Sequence, residues 1–239
     1  MPRNATLLAL LQDYRAEIRA STNAAHNTSA RETQVRLLQR TQELLWDDID
    51  WPHLRVTRFI DLQAGQRFYD PPTDMTMERL ETIEVRYGQV WCPLYNGIDA
   101  QHYSSWDSDL DERSWPVERW KIEEDDRIEV WPIPASNADV PSLEGRLKIT
   151  GIRKLRPLVA DSDRADLDSR LITLYAAAET LAASGAADAP LKLQAAQMRR
   201  AAITQNFSKV TTFRMFAGNN EGRQLRGPPR VHYRDRETS

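Results

Sequence analysis

LLQRTQELLWDDIDWPHLRV, residues 37–56, is the stretch in which the chain changes its period. On its upstream side Val35, Leu38, Leu45 and Trp46 fall on or near one face of a helix. Ser29 stands as an N-cap with Glu32 three residues on, and Pro52 ends the pattern, so a helix is expected from 29 to about 47. Working outward toward the start, Leu7, Leu8, Leu11, Tyr14 and Ile18 make a second helical stripe over residues 5–20. Asn4 is placed to accept its first backbone donors.

Downstream of the same stretch the period becomes that of strands. Leu54, Val56 and residues 58–62 read as one strand, Ala64 and Gly65 as a turn, and residues 66–70 as the returning strand of a hairpin, closed by Pro71 and Pro72. Residues 80–87 alternate, with Glu81, Ile83, Val85 and Tyr87 on the more apolar face. Residues 119–122 and 127–131 flank a turn at Glu124 and Asp125, and residues 147–155 make a further strand. Irregular loops are expected at 93–115 and 132–141.

Helices return after Pro157. Asp161, Asp163, Asp166 and Asp168 crowd the start of a segment carrying Leu167, Leu171, Leu174, Tyr175 and Leu181, where acid complements the positive helix terminus; Gly185 ends it. Pro190 opens another helix, with Leu191, Ala195, Met198, Ala202 and Phe207 on one side and many alanines suited to close helix packing. Residues 218–239 hold Gly218, Gly222, Gly227, Pro228 and Pro229 and little apolar side chain, as in an extended arm that orders on binding. The expected fold is therefore α+β. Residues 1–53 and 157–217 form a helical bundle from two helix pairs, residues 54–156 an inserted antiparallel β domain, and residues 218–239 an extended C-terminal arm.

Composition narrows the function. The 239 residues are 41% hydrophobic and 28% charged, an ordinary globular balance. The start, MPRNATLLALLQDY, is broken by Gln12 and Asp13 too early for a signal peptide, and apolar runs are too short for a membrane span. A soluble protein made in the cytoplasm is expected. Cys92 is the single cysteine and the four histidines are scattered, which argues against a disulfide or a structural zinc site. A net charge of −3 argues against a nucleic-acid coat, although residues 107–126 are acid-rich and the chain beyond 192 is basic. There is no glycine-rich phosphate loop, no G-x-S-x-G elbow and no H-E-x-x-H, and Cys92 has no local partner to activate it. A carboxylate pair such as Glu123 and Asp126 suits a glycosidase, but solvated surface charge explains it more simply. No enzyme activity, cofactor or metal is expected.

The helix ending in Trp46, the link to Trp51, the strand, the glycine turn LQAGQRFYDPP at 62–72 and the alternating strand RLETIEVRYG at 79–88 together resemble the head-to-tail connector family of tailed bacteriophages. That family includes tail tubular protein A and head-completion adaptor types. The resemblance implies a virion neck protein whose copies form a ring, of twelve subunits, beneath the portal. It implies an arm docked on the portal protein, a tail or nozzle protein on the opposite side, and genomic DNA passing through the lumen without sequence recognition. The long tryptophan-rich insert between Tyr87 and Val140 departs from the smaller members.

Two sets of residues are candidates for these contacts. Arg223, Arg226, Arg230, Val231, Tyr233 and Arg234 suit an arm that lays arginine forks on portal carboxylates around a tyrosine anchor; the same chemistry suits duplex phosphate. Asp107, Asp109, Asp111 and Glu118 have the spacing of a calcium loop, yet Glu112 stands where glycine is wanted and neither flank reads as helix. An acidic loop facing the lumen, where like charge keeps DNA from sticking, is the reading preferred. The seven tryptophans are read as core and subunit contacts rather than a stacking platform. A tail-side stopper and a DNA-binding module stand as alternatives.

Overall fold

The computed structural model describes residues 3–21, 30–105 and 112–208. Over these it is α+β, with five α-helices and two four-stranded sheets. The described residues divide into two compact units, one built from residues up to 56, 74–76 and 152–208, the other from residues 57–73 and 77–151.

In the first unit, α1 (Leu7–Glu17) starts at Thr6, whose hydroxyl accepts from the Ala9 amide at 3.3 Å. The expected cap, Asn4, lies before the helix at φ 64°. Thr6 wins because the preceding residues are pinned to the 161–165 loop: Asn4 and Leu7 amides donate to Ala165 and Asp163 carbonyls at 3.1 and 2.8 Å. Leu7, Leu10, Leu11 and Tyr14 bury one face. Helix α2 (Arg31–Asp48) follows Ala30, which supplies no side-chain cap; Ser29 lies outside the described residues. It buries Val35, Leu38 and Leu45.

Helix α4 (Ser169–Ala183) packs against α1 and α2 and against α5 (Ala189–Ser208). Its run of Leu171, Ile172, Thr173, Leu174, Ala176, Ala177 and Ala178 is buried almost all round, as a helix surrounded by others requires. Of the four aspartates expected at its start only Asp168 is the cap, accepting from the Leu171 amide at 3.0 Å. Asp163 instead closes a turn, accepting from the Val159 and Ala160 amides, each at 2.7 Å. Those bonds, the Val159 one foremost, hold its carboxyl below the ordinary value. Asp166 takes Arg153 and Arg156.

Helix α5 turns inward a face other than the side that periodicity groups. Leu191 and Met198, on that grouped side, are 64% and 65% exposed. The face turned to the core carries Ala196 and Ile203, flanked by Lys192, bonded to Glu17, and Arg199, bonded to Asp168 at 2.7 Å. Two apolar stripes compete on this helix. Small alanine at the contact and reachable carboxylates on α1 and α4 select the one that includes the charges.

The second unit holds most of both sheets. One has the order β1-β8-β3-β4, from Arg55–Asp61, Arg146–Arg153, Met75–Tyr87 and Val90–Pro93. The other has the order β2-β7-β6-β5, from Phe68–Tyr69, Ile128–Trp131, Arg119–Ile122 and Tyr95–Asn96. The expected hairpin of β1 with residues 66–70 does not form: β2 pairs with β7, Phe68 opposite Glu129, in the other sheet. The turn itself is there, Gln66 amide to Gln63 carbonyl at 3.1 Å with Gly65 at φ 77°. Its loop is drawn away from β1 because the Gly65 amide donates to Pro134 at 2.9 Å and the Tyr69 hydroxyl binds the Gln63 amide at 2.9 Å.

The β6–β7 hairpin has the expected turn, with Trp120 opposite Val130. Strand β3 begins earlier than expected, burying Met75 and Met77 as well as Ile83 and Val85, while Glu81 and Tyr87 are exposed. The stretch 93–115, expected to be irregular, contains β5 and a short helix α3 (Ala100–Ser105). At Gly145, φ 78°, a Cβ would sit 2.9 Å from the Ala138 Cα, so glycine is required on both counts.

Candidate interaction surfaces

The second unit is organised around a buried charge. All four residues of β7 are buried, and the alternation that sends Ile128 and Val130 to one side leaves Glu129 and Trp131 on the other. Glu129 is 0% exposed. A carboxylate so placed is costly unless its lone pairs are filled. Arg67 fills two positions, from Nε at 2.7 Å and Nη2 at 2.6 Å. The Tyr103 hydroxyl lies 3.0 Å from both carboxylate oxygens. Lys121 Nζ reaches Glu129 at 3.4 Å, donates to the Tyr103 hydroxyl at 3.1 Å and pairs with Glu123 at 2.6 Å. The Glu123 contact raises the Lys121 pKa and lowers that of Glu123.

This network explains why α3 exists. Six residues are too few for a stable isolated helix, and none of them is buried. Tyr103 anchors the helix through Glu129, and the Trp131 indole N–H donates to the His102 carbonyl at 3.1 Å. The Arg67 guanidinium lies over the Phe68, Tyr103 and Trp131 rings at 5.1, 4.8 and 5.1 Å. Asp99 caps the start, accepting from the Gln101 and His102 amides at 3.0 and 3.2 Å, and the His102 amide chiefly holds its carboxyl below the ordinary range. Every charge in the cluster has a partner, which is the chemistry of a rigid scaffold.

The β1-β8-β3-β4 sheet carries a half-buried array of a different kind. Leu147, Ile149, Ile83 and Val85 are buried, while Arg146 and Lys148 alternate with them on β8, as do Glu84 and Arg86 on β3. Phe59 of β1 and Trp91 of β4 meet at 5.9 Å between ring centroids. Arg146 lies 5.9 Å from the Phe59 ring; Arg86 and Lys148 lie 5.5 and 5.4 Å from that of Trp91. Lys148 pairs with Glu84 at 2.5 Å and Arg146 with Asp61 at 2.6 Å. Arg86 Nε is shielded from water without a hydrogen-bond partner among the described residues. Aromatic rings set among arginines have the composition of protein-contact hot spots.

The sequence candidates fall largely elsewhere. Arg223, Arg226, Arg230, Val231, Tyr233 and Arg234 lie outside the described residues, as do Asp107, Asp109 and Asp111. Glu118 is exposed at the entry to β6, its amide bonded to the Trp131 carbonyl at 2.9 Å. Among the described residues no group of three His, Cys, Asp or Glu is placed to hold a metal ion. Of the carboxylates singled out together, Glu123 is tied to Lys121 and Asp126 occupies the β6–β7 turn at φ 60°. Trp46 and Trp51 donate their indole N–H groups to the Arg153 and Leu45 carbonyls at 3.2 and 2.9 Å; Trp120 and Trp131 are buried; Trp106 is outside the described residues. Glu129, Arg67 and Tyr103 escape sequence reasoning. Their one local sign is a lone acid within the apolar strand IEVW.

Residues 5–224 match the family model of the SU10 adaptor protein, so the chain belongs to this family of phage head–tail adaptors. It is a structural component of the virion that contacts other head or tail proteins. No curated protein matches the chain. No helix among the described residues is long and apolar enough to cross a membrane.

Proposed function

We propose that the chain is a head-to-tail connector of the neck, a non-enzymatic protein that assembles as a ring of twelve between portal and tail. The match over residues 5–224 carries this reading. The resemblance of the tryptophan junction at 37–56 to tail tubular protein A types points the same way. In it the N- and C-terminal helix pairs form a bundle, and the arm at 218–239 docks on the portal through Arg223, Arg226, Arg230, Val231, Tyr233 and Arg234. Arginine forks on carboxylates supply specificity, and the ordering entropy of the arm is offset only when the portal is there to bind. The Phe59–Trp91 face offers the tail side a contact that needs no folding step. Asp107, Asp109, Asp111 and Glu118 line the lumen, where their charge repels passing DNA.

The test is to mix the purified chain with its portal protein and determine the particle by mass photometry and cryo-EM. A symmetric ring seated on the portal is expected, lost on deletion of residues 218–239 while the fold is kept. A chain that stays monomeric and ignores the portal overturns the connector reading; a ring that forms equally well without residues 218–239 removes the arm from it.

A further inference from the structure

Helix α5 carries exposed apolar side chains in opposite directions, on two of its flanks. Leu193 and Arg200, seven residues apart, line a groove of about 580 Å³ between α2, α4 and α5, floored by Leu44, Tyr175, Ala178 and Ala182. Leu44 is 59% and Leu193 41% exposed. Leu191 and Met198, also seven apart, make a ridge on the other flank. Each ridge residue precedes its groove counterpart by two positions, which at 100° per residue places the two surfaces about 160° apart around the helix.

Charge matches as well as shape. The acids of the groove are neutralised, Asp48 within it by Arg200 at 2.7 Å and Glu179 from outside it by Arg40. The ridge side of α5, with Leu191, Gln194, Ala195, Met198, Ala201 and Gln205, carries no charged side chain. Bringing the two together desolvates no unpaired charge, and the apolar area removed from water is favourable. A groove and a ridge on opposite flanks of one helix cannot satisfy each other within a copy. Between copies they make a heterologous, head-to-tail contact, the kind that repeats and closes into a ring when its rotation permits.

We infer that the α2–α4–α5 groove of one copy receives the Leu191–Met198 ridge of α5 from the next copy, and that this contact closes the connector ring. The inference rests on the proposed ring assembly and names the surface that performs it. It also accounts for Leu191 and Met198, which periodicity groups on one side of the helix: they are apolar for a neighbouring copy.

The test uses the full chain in a Cys92→Ser background. One preparation carries Leu44→Cys and a second Met198→Cys; they are mixed, oxidised, and analysed on non-reducing gels and by peptide mass spectrometry. The expected product is a mixed disulfide dimer, enriched about tenfold over a control pairing of Leu8→Cys with Met198→Cys, as one specific contact's worth of affinity gives. Leu193→Cys with Leu191→Cys repeats the trial should the first pair fold poorly. If sedimentation shows concentration-dependent oligomers while the mixed dimer stays at the control level, or like-with-like dimers dominate, the groove–ridge contact is wrong and ring assembly stands. If no association occurs, alone or on the portal, the ring reading fails and takes this inference with it.

Discussion

The two units of this chain solve the burial problem with different materials. The helical unit packs Leu7, Leu10, Leu11, Leu38, Leu171, Ile172 and Ile203 into one apolar cluster, and its buried carboxylates, Asp166 and Asp168, stand just before α4, paired with arginines. The β unit places a carboxylate inside and builds outward from it through Arg67, Tyr103 and Lys121. The difference is one of chain economy. Long helices bring their own apolar faces, whereas the two- to four-residue strands of the β2-β7-β6-β5 sheet and the six-residue α3 have little apolar surface and take their geometry from directional bonds.

The sharpest way to break this comparison is Glu129→Leu. It leaves Arg67 without its carboxylate in a partly buried site and is expected to cost the β unit about 3–5 kcal/mol in denaturant unfolding followed by tryptophan fluorescence. Glu129→Gln, which still accepts from Tyr103, is expected to lose less. A loss below about 1 kcal/mol for Glu129→Leu would mean that apolar packing suffices there too. The counterpart in the helical unit is Leu38→Ala, expected to cost about 2–5 kcal/mol by cavity formation, with no dependence on salt. Salt-sensitive destabilisation by that variant would blur the distinction.

Smaller effects sharpen it. Asp168→Ala removes the α4 cap and the Arg199 partner together, for an expected loss of about 2 kcal/mol in thermal or chemical unfolding, while Asp168→Asn keeps the cap and loses about half as much. Asp166 supplies a pH dependence. Burial pushes its carboxyl up, but hydrogen bonds from Arg156 and Arg153 outweigh this and hold it below the ordinary value. Its contribution is therefore complete above the unfolded value of about 4 and is lost as pH falls through the lower folded one. Asp166→Asn is expected to flatten the acid limb of the stability curve below pH 4; an unchanged limb would show that other carboxylates set it. The smallest change in stability, within about 0.5 kcal/mol, is expected for Phe59→Ala, because the ring is exposed. Its effect belongs in binding to a head or tail protein, measured by calorimetry or pull-down, and retention of full binding would remove the sheet face from the contact surface.

Legibility followed the range of the interactions. Helices α1, α2 and α4 are visible in the spacing of Leu7, Leu11 and Tyr14, of Val35, Leu38 and Leu45, and of Leu171 and Leu174, because each periodic stripe lies within one segment. The β6–β7 turn is visible for the same reason. The β1–β2 hairpin is expected but does not form, because Ala64 and Gly65 announce a turn without saying which strand the chain will join, and contacts with Pro134 and Asn137, some seventy residues on, decide that. Glu129 was not picked out because its partners at 67, 103 and 121 come from three separate segments.

By itself, then, the amino-acid sequence determined the α+β class, the existence of the long helices and the β6–β7 turn, all of which depend on local spacing and composition, and it carries the resemblance to phage head–tail adaptors that the family match bears out. Tertiary structure alone decided which of two apolar stripes on α5 turns inward, which sheet receives Phe68 and Tyr69, and that a glutamate stands at the centre of the β unit. The reason is physical: periodicity reports that a face is apolar, but only the arrangement of distant segments determines what that face meets.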